Sequence, residues 1–270
     1  MTNTKEQFGT SPEEIRLKLT RLELPWRSLT ADEIPHSLEL ATDFVNDIPE
    51  RASILDIGCG NGLKLAKLVV GSFHDLSSRP SGIIDEPFRN GLGIDINSNG
   101  IEAARTKFAE HKNLNFDVQN GTGLEFIKNY FDCIIIIGVL DAIEPEERTT
   151  ILKEAFRLLK PGGRIAISEF KLNDSDPNER KKYEADMKEE AENGGIAEYG
   201  VRIVRNKAGE KKWIGTHFTQ EKLTEMLSEA GFSDIQVREQ SVTTAVLDQE
   251  PKKRQQYTVW GIKPKNEKCL

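Results

Sequence analysis

The stretch Ile54-Leu55-Asp56-Ile57-Gly58-Cys59-Gly60-Asn61-Gly62 constrains this chain more than any other. An apolar strand ends in an acid, runs through closely spaced glycines and passes into a helix. Glycine lets the backbone bend sharply and removes the β-carbons that would hold a ligand away. The crevice at a strand-to-helix turn is also where open α/β sheets bind ligands. The same residues also fit a tight turn that binds nothing.

Downstream, short apolar runs alternate with helical patterns, the mark of a mainly parallel sheet covered on both faces. Strands are predicted at Ser53–Ile57, 91–96, Leu114–Val118, 131–138 and 163–169, with helices between them. The clearest helix covers 145–159, where Ile151, Leu152, Ala155, Phe156, Leu158 and Leu159 share a face and Lys160-Pro161-Gly162-Gly163 ends it. A helix carrying Leu223, Met226, Leu227 and Ala230 precedes two last strands, 234–239 and 256–262, which pair as a hairpin at the sheet edge.

Five segments follow: an N-terminal helical part (1–50), a core (51–170), a cap or substrate-side insertion (171–216), a completion of the core (217–263) and a tail (264–270). Ser11-Pro12-Glu13-Glu14 opens a first helix and 36–46 forms a second, while Pro80, Gly82 and Pro87 make 71–90 a surface insertion. The cap contains a charged helix at 179–192 and a hairpin at 201–214.

A chain of 270 residues suits one α/β domain with an added lobe. No apolar run approaches the roughly 18 residues of a membrane span, and the N-terminus lacks a basic start followed by an apolar stretch, so a cytoplasmic location is expected. Cys59, Cys133 and Cys269 lack metal-ligand spacing, which predicts reduced thiols and no metal site. The net charge of -7 offers nucleic acid no global attraction. Arg202, Arg205, Lys207, Lys211 and Lys212 form a local basic group that suits either an anionic acceptor, RNA included, or a solvated hairpin.

Gly58, Gly60 and Gly62 give GxGxG, with Leu63 where the dinucleotide fingerprint GxGxxG has its third glycine. With the residues below, the chain resembles the class I S-adenosylmethionine-dependent methyltransferases from about residue 53 to 170 and again from His217. In Gly91-Leu92-Gly93-Ile94-Asp95-Ile96-Asn97 an acid ends the second strand, and the resemblance assigns Asp95 to the ribose hydroxyls. Phe116-Asp117-Val118-Gln119-Asn120-Gly121-Thr122 is similar to the family's adenine-binding turn, with Asn120 where aspartate is more usual; Asp117 lies within the strand. Asn120 can accept from the adenine amine or orient its own loop. Phe131 to Leu140 resembles the strand leading to the methyl-transfer site, where the family contacts cofactor through positions matching Gly138 and Val139.

The resemblance implies a Rossmann-like α/β fold: a seven-stranded, mainly parallel sheet between helices, with an antiparallel C-terminal edge strand and a small cap. It implies S-adenosylmethionine, left as S-adenosylhomocysteine, at Asp56, Gly58, Cys59, Gly60, Asn61, Gly62, Asp95, Ile96, Asn120, Gly121, Thr122, Gly138 and Val139. The expected function is methyl transfer to a small-molecule acceptor by direct displacement. A nonenzymatic S-adenosylmethionine-binding regulator and a methyltransferase of RNA or protein are the alternatives. The sequence does not fix a catalytic base. Glu169, Asp141, His36 and His217 are candidates, with Trp26 and Tyr199 as substrate contacts, and each also suits a purely structural role.

Overall fold

The computed structural model describes residues 38–70, 89–206, 208–244 and 252–265. The first predicted helix, the candidates Trp26 and His36, Lys207, and nearly all of 71–90 lie outside these residues. Of the helix expected over 36–46, only α1 (Thr42–Asn46) forms; Leu38 to Ala41 has no regular structure. Side chains of β-strands tie that segment down instead. The Glu39 carbonyl accepts from Ser168 Oγ (3.1 Å), Gln240 Nε2 (3.1 Å) and Thr258 Oγ1 (3.2 Å).

Next come β1 (Ser53–Ile57), α2 (Leu63–Val70), β2 (Asn90–Asp95), α3 (Ser98–Lys107), β3 (Leu114–Val118), β4 (Phe131–Ile137) and a 3-10 turn at Leu140–Ala142. These lead to α4 (Pro145–Leu158), β5 (Leu159–Phe170), α5 (Pro177–Glu192), β6 (Val201–Arg205), β7 (Lys211–Thr216), α6 (Gln220–Glu229), β8 (Ser233–Thr244) and β9 (Lys252–Ile262). The main sheet is seven-stranded in the order β3-β2-β1-β4-β5-β9-β8. All its neighbours from β3 to β5 are parallel, and β9 is antiparallel to both β5 and β8. The C-terminal hairpin closes that edge as expected, with the antiparallel strand β9 one place in and β8 outermost.

Central strands are apolar almost throughout because helices cover both faces. Leu55, Ile134, Ile136, Ile165 and Ile167 pack toward α4 and α6. Ile54, Cys133, Ile135 and Ala166 pack toward α1, α2 and α3. Helix α4 starts on Pro145 with Glu146 and Glu147 in its first turn, where carboxylates favour the positive end of the helix. Asn97 caps α3 by accepting from Asn99 N and Gly100 N, and Thr219 caps α6 by accepting from Lys222 N.

Three strands exceed their predicted lengths. β5 begins at Leu159 rather than 163: Gly162, at φ +82°, and Gly163 exchange backbone bonds with Lys263, so the glycine turn joins the ladder through a bulge. β8 and β9 continue beyond their apolar ends through mostly polar pairs such as Ser241 with Gln255 and Thr243 with Lys253, held by backbone bonds that leave little hydrophobic alternation to read.

Candidate active site

The glycine turn is pinned to the end of β2, where Gly58 N and Cys59 N both donate to Ile94 O at 2.8 and 3.0 Å. Packing requires glycine at two of its positions. A Cβ on Gly58 (φ +76°) would stand 2.2 Å from Val139 Cγ2, and one on Gly62 (φ +75°) 2.4 Å from Phe116 Cε1. β-branched and aromatic neighbours thus press on the turn from the exit of β4 and from β3, and only bare backbone fits.

Two acids stand beside it. Asp95 accepts from Gly60 N through Oδ2 and from Asn97 N through Oδ1, both at 2.8 Å, which couples the turn to the end of β2. Burial pushes the Asp95 carboxyl up from its ordinary value, and the amides of Asn97, Gly60 and Ile96 pull it back. Asp56 is 1% exposed, and its Oδ2 has no hydrogen-bond partner among the described residues. Burial and then the charge of Asp95 push its carboxyl up to about 8, against the partial pull of Lys64. Across the crevice, Asn120 Oδ1 accepts from Thr122 N at 3.1 Å, so this side chain braces its own loop.

The exits of β4 and β5 form the third wall. Gly138, at φ +64°, donates to Ser168 O at 3.0 Å. Glu169 Oε1 accepts from Val139 N (3.2 Å) and Leu140 N (2.9 Å) and so holds the turn that presents Asp141. The buried Arg148 guanidinium bonds Leu140 O (2.6 Å), Thr216 Oγ1 (3.0 Å) and Glu198 Oε1 (2.5 Å), tying this turn to the cap.

These walls enclose one cavity of about 220 Å³. Of the residues assigned to cofactor from the sequence, all but Gly62 line it; Gly62 faces the Phe116 ring behind the turn. Asp141 lines the cavity, while Glu169, fully buried, lies outside the lining. His217 is also outside it, bonded through Nδ1 to Tyr183 Oη at 2.9 Å, and burial lowers its pKa to about 3. Tyr199 projects from the surface and donates to Asp174 Oδ1.

Residues 49–231 match the family described as a methyltransferase domain. The ubiquinone/menaquinone biosynthesis C-methyltransferase UbiE of Haemophilus ducreyi is 30% identical over 211 residues, covering 74% of this chain and 79% of that protein. The chain belongs to the class I S-adenosylmethionine-dependent methyltransferases. A demethylmenaquinone methyltransferase of Clavibacter sepedonicus is 28% identical over 190 residues, 68% of this chain and 67% of its own. A solved S-adenosylmethionine-dependent methyltransferase from Methanosarcina mazei superposes with a TM-score of 0.68 at 28% identity, covering 85% of this chain and all (100%) of that one.

Sequence reasoning missed the apolar end of the methyltransferase's cavity, formed by Leu38, Ile143, Phe170, Trp213 and Ile214. These come from four separate places in the chain, and no local motif joins them. Trp213 and Ile214 sit on β7, so the cap hairpin does reach the site, through an aromatic and an aliphatic side chain rather than its cations. The cations face the acids of α5: Arg202 bonds Glu179 and Asp186, Arg205 bonds Glu189, and Lys211 bonds Glu190. Among the described residues, no helix is long and apolar enough to cross a membrane.

Proposed function

We propose that this methyltransferase binds S-adenosylmethionine across the glycine turn and transfers its methyl group to a small, largely apolar organic acceptor held beneath the cap hairpin. The observation that carries the reading is the orphaned Asp56 carboxylate oxygen, buried beside Asp95 in a cavity whose far end is apolar. A buried acid without a partner is costly, and a cationic ligand relieves that cost. S-adenosylmethionine fits: its positive end suits Asp56, its ribose diol suits Asp95, and its adenine suits the loop Asn120-Gly121-Thr122.

Asp95 takes backbone amides on both carboxylate oxygens, and the lone-pair capacity left over would accept the ribose hydroxyls. Asn120, whose oxygen already braces Thr122 N, contributes to the adenine end chiefly by fixing loop shape. When bound, the cofactor supplies an activated methyl whose leaving group is a neutral thioether, so the chain's main task is alignment. Phe170, Trp213 and Ile143 would exclude water and orient a flat apolar acceptor toward the exit of β4.

The relatives' substrates give a first acceptor to test, demethylmenaquinone in its reduced, hydroquinone form, since an activated methyl needs an electron-rich partner. RNA is not favoured, because the described hairpin cations are paired with the chain's own acids. Calorimetry with S-adenosylmethionine, followed by incubation with methyl-labelled cofactor and a panel headed by that hydroquinone, tests the proposal. Binding together with labelled product and S-adenosylhomocysteine is expected. Absence of cofactor binding overturns the proposal, and binding without turnover on any acceptor favours the regulator.

A further inference from the structure

We propose that Asp141 is the general base of the transfer, receiving the proton that the acceptor's reacting atom gives up, and that Glu169 is the positioning residue behind it. The inference rests on the function proposed above and assigns a role within the same site.

Two carboxyl groups stand where β4 and β5 leave the sheet. Asp141 is 9% exposed and Glu169 0%. Each has one oxygen, Asp141 Oδ1 and Glu169 Oε2, without a hydrogen-bond partner among the described residues. They differ in what they face. Asp141 lines the cavity together with Val139, Ile143, Trp213 and Ile214, and β7 approaches it at Gly215. Glu169 is outside the lining and spends its other oxygen on Val139 N and Leu140 N, fixing the turn on which Asp141 rides. β7 closes over that turn so tightly that a Cβ on Gly215 would lie 3.0 Å from Asp141 Oδ2.

An isolated polar atom in such a place needs a partner from outside the chain, and Asp141 is the one a ligand can reach. Both groups cannot be ionised cheaply, because Arg148 is the cation beside them and already serves Leu140 O, Thr216 and Glu198. Burial and then the charge of Asp141 hold Glu169 well above the ordinary carboxylate range. Burial raises Asp141 to about 7, with Arg148 and its own backbone amide pulling it back. The other charged groups around it are Glu147 on the cavity wall, Glu144 at the start of α4 and Glu198 against Arg148. A base that titrates near neutrality combines availability with strength.

In the balanced step the acceptor's carbon, nitrogen or oxygen bonds the methyl carbon. The methyl–sulfur electron pair stays on sulfur, and the hydrogen leaves the acceptor as a proton on Asp141, from which solvent removes it after product leaves. His217, locked to Tyr183 outside the cavity lining, does not compete for this role.

The test uses full-length protein loaded with S-adenosylhomocysteine, labelled with carbon-13 at its Asp and Glu carboxyls, and titrated by NMR. Wild type is expected to show a carboxyl titrating near pH 7 that Asp141→Asn removes; an Asp141 carboxyl that ionises below pH 5 overturns the assignment. This titration needs no acceptor, and failure of the protein to bind S-adenosylhomocysteine would sink the proposed function instead. With reduced demethylmenaquinone, Asp141→Asn is expected to lower kcat by about a hundredfold to ten-thousandfold. Its cofactor affinity and acceptor KM should stay near wild type, and the acid limb of the kcat profile should vanish. Glu169→Gln keeps an oxygen for Val139 N and Leu140 N, so it should lower kcat far less than Asp141→Asn does and leave the acid limb in place. A loss as large as that of Asp141→Asn would make Glu169 the base and overturn the assignment.

Discussion

The two ends of the cavity are built from different materials. At the proposed cofactor end the shape comes from backbone: positive-φ glycines, amides donated to Asp95, and Ile94 O gripping the turn. At the acceptor end it comes from side chains, Phe170, Trp213, Ile143 and Ile214, held in place by the buried Arg148 that joins the Leu140 carbonyl to the cap. A backbone-made end tolerates almost no substitution and accommodates one ligand. A side-chain-made end can change its occupant by exchanging residues while the fold stays as it is. A sheet of this kind can therefore keep its glycine-turn end while the residues at the other end vary.

The largest effect should come from filling the backbone-made end. Gly58→Ala places a Cβ against Val139 Cγ2 at a left-handed backbone position. Overpacking of about 1–3 kcal/mol and left-handed strain of about 1–2 kcal/mol act together there. A lower urea midpoint and loss of measurable S-adenosylmethionine binding by calorimetry are the expected outcomes. Wild-type stability and affinity would show that the turn can yield, and the contrast between the two ends would weaken.

The same contrast sets how much of the molecule was legible in its sequence. Strand positions, core helices and the glycine turn follow from local signals: apolar runs, a proline-started helix, glycines after an acid. Asp56 and Asp95 could be placed because each ends a strand, and strand ends converge in a parallel sheet. Trp213 could not be, since its approach to Asp141 depends on how β7 folds back across the exit of β4, a long-range event. Arg148 reads as an ordinary polar position on an amphipathic helix, yet it is 2% exposed. The long polar ladder of β8 and β9 escaped for another reason: backbone bonds, with little apolar burial, specify it.

A paired measurement sharpens the division. Asp95→Ala should weaken S-adenosylmethionine binding by about tenfold to a hundredfold, about 1.4–2.8 kcal/mol, because it removes the proposed ribose acceptor and the anchor of Gly60 N together. Trp213→Ala should leave that affinity within about twofold and raise the acceptor KM about tenfold or more, as fits loss of a large aromatic contact. Calorimetry and steady-state kinetics on both variants separate the ends; a Trp213→Ala protein with impaired cofactor binding would merge them.

Proton linkage probes the cofactor end more gently. With its pKa raised to about 8, Asp56 is protonated at pH 6 and offers a cation little. As pH rises its carboxylate becomes available, so S-adenosylmethionine affinity should increase between pH 5.5 and 7.5, by at most about tenfold per unit. Above that range the ligand's own amine begins to lose its proton and opposes the trend. For the ligand-free protein the sign is opposite: a raised carboxyl gives stability that is present below pH 4 and lost as pH climbs toward 8. Asp56→Asn should flatten both dependences, and a variant that keeps the full binding slope would move the responsible proton to another group.

The smallest effect should come from the cap's outer face. Arg205 pairs with Glu189 where both side chains are more than a third exposed, and solvent screens such pairs to about 0–1 kcal/mol. Arg205→Ala should therefore shift the urea midpoint barely at all and leave cofactor affinity and acceptor KM unchanged, because Trp213 and Ile214 line the cavity and Arg205 does not. Raising the salt concentration should act equally weakly on wild type. A marked rise in acceptor KM in Arg205→Ala would mean that the cations meet the acceptor, and that the far end of the cavity recognises charge as well as apolar surface.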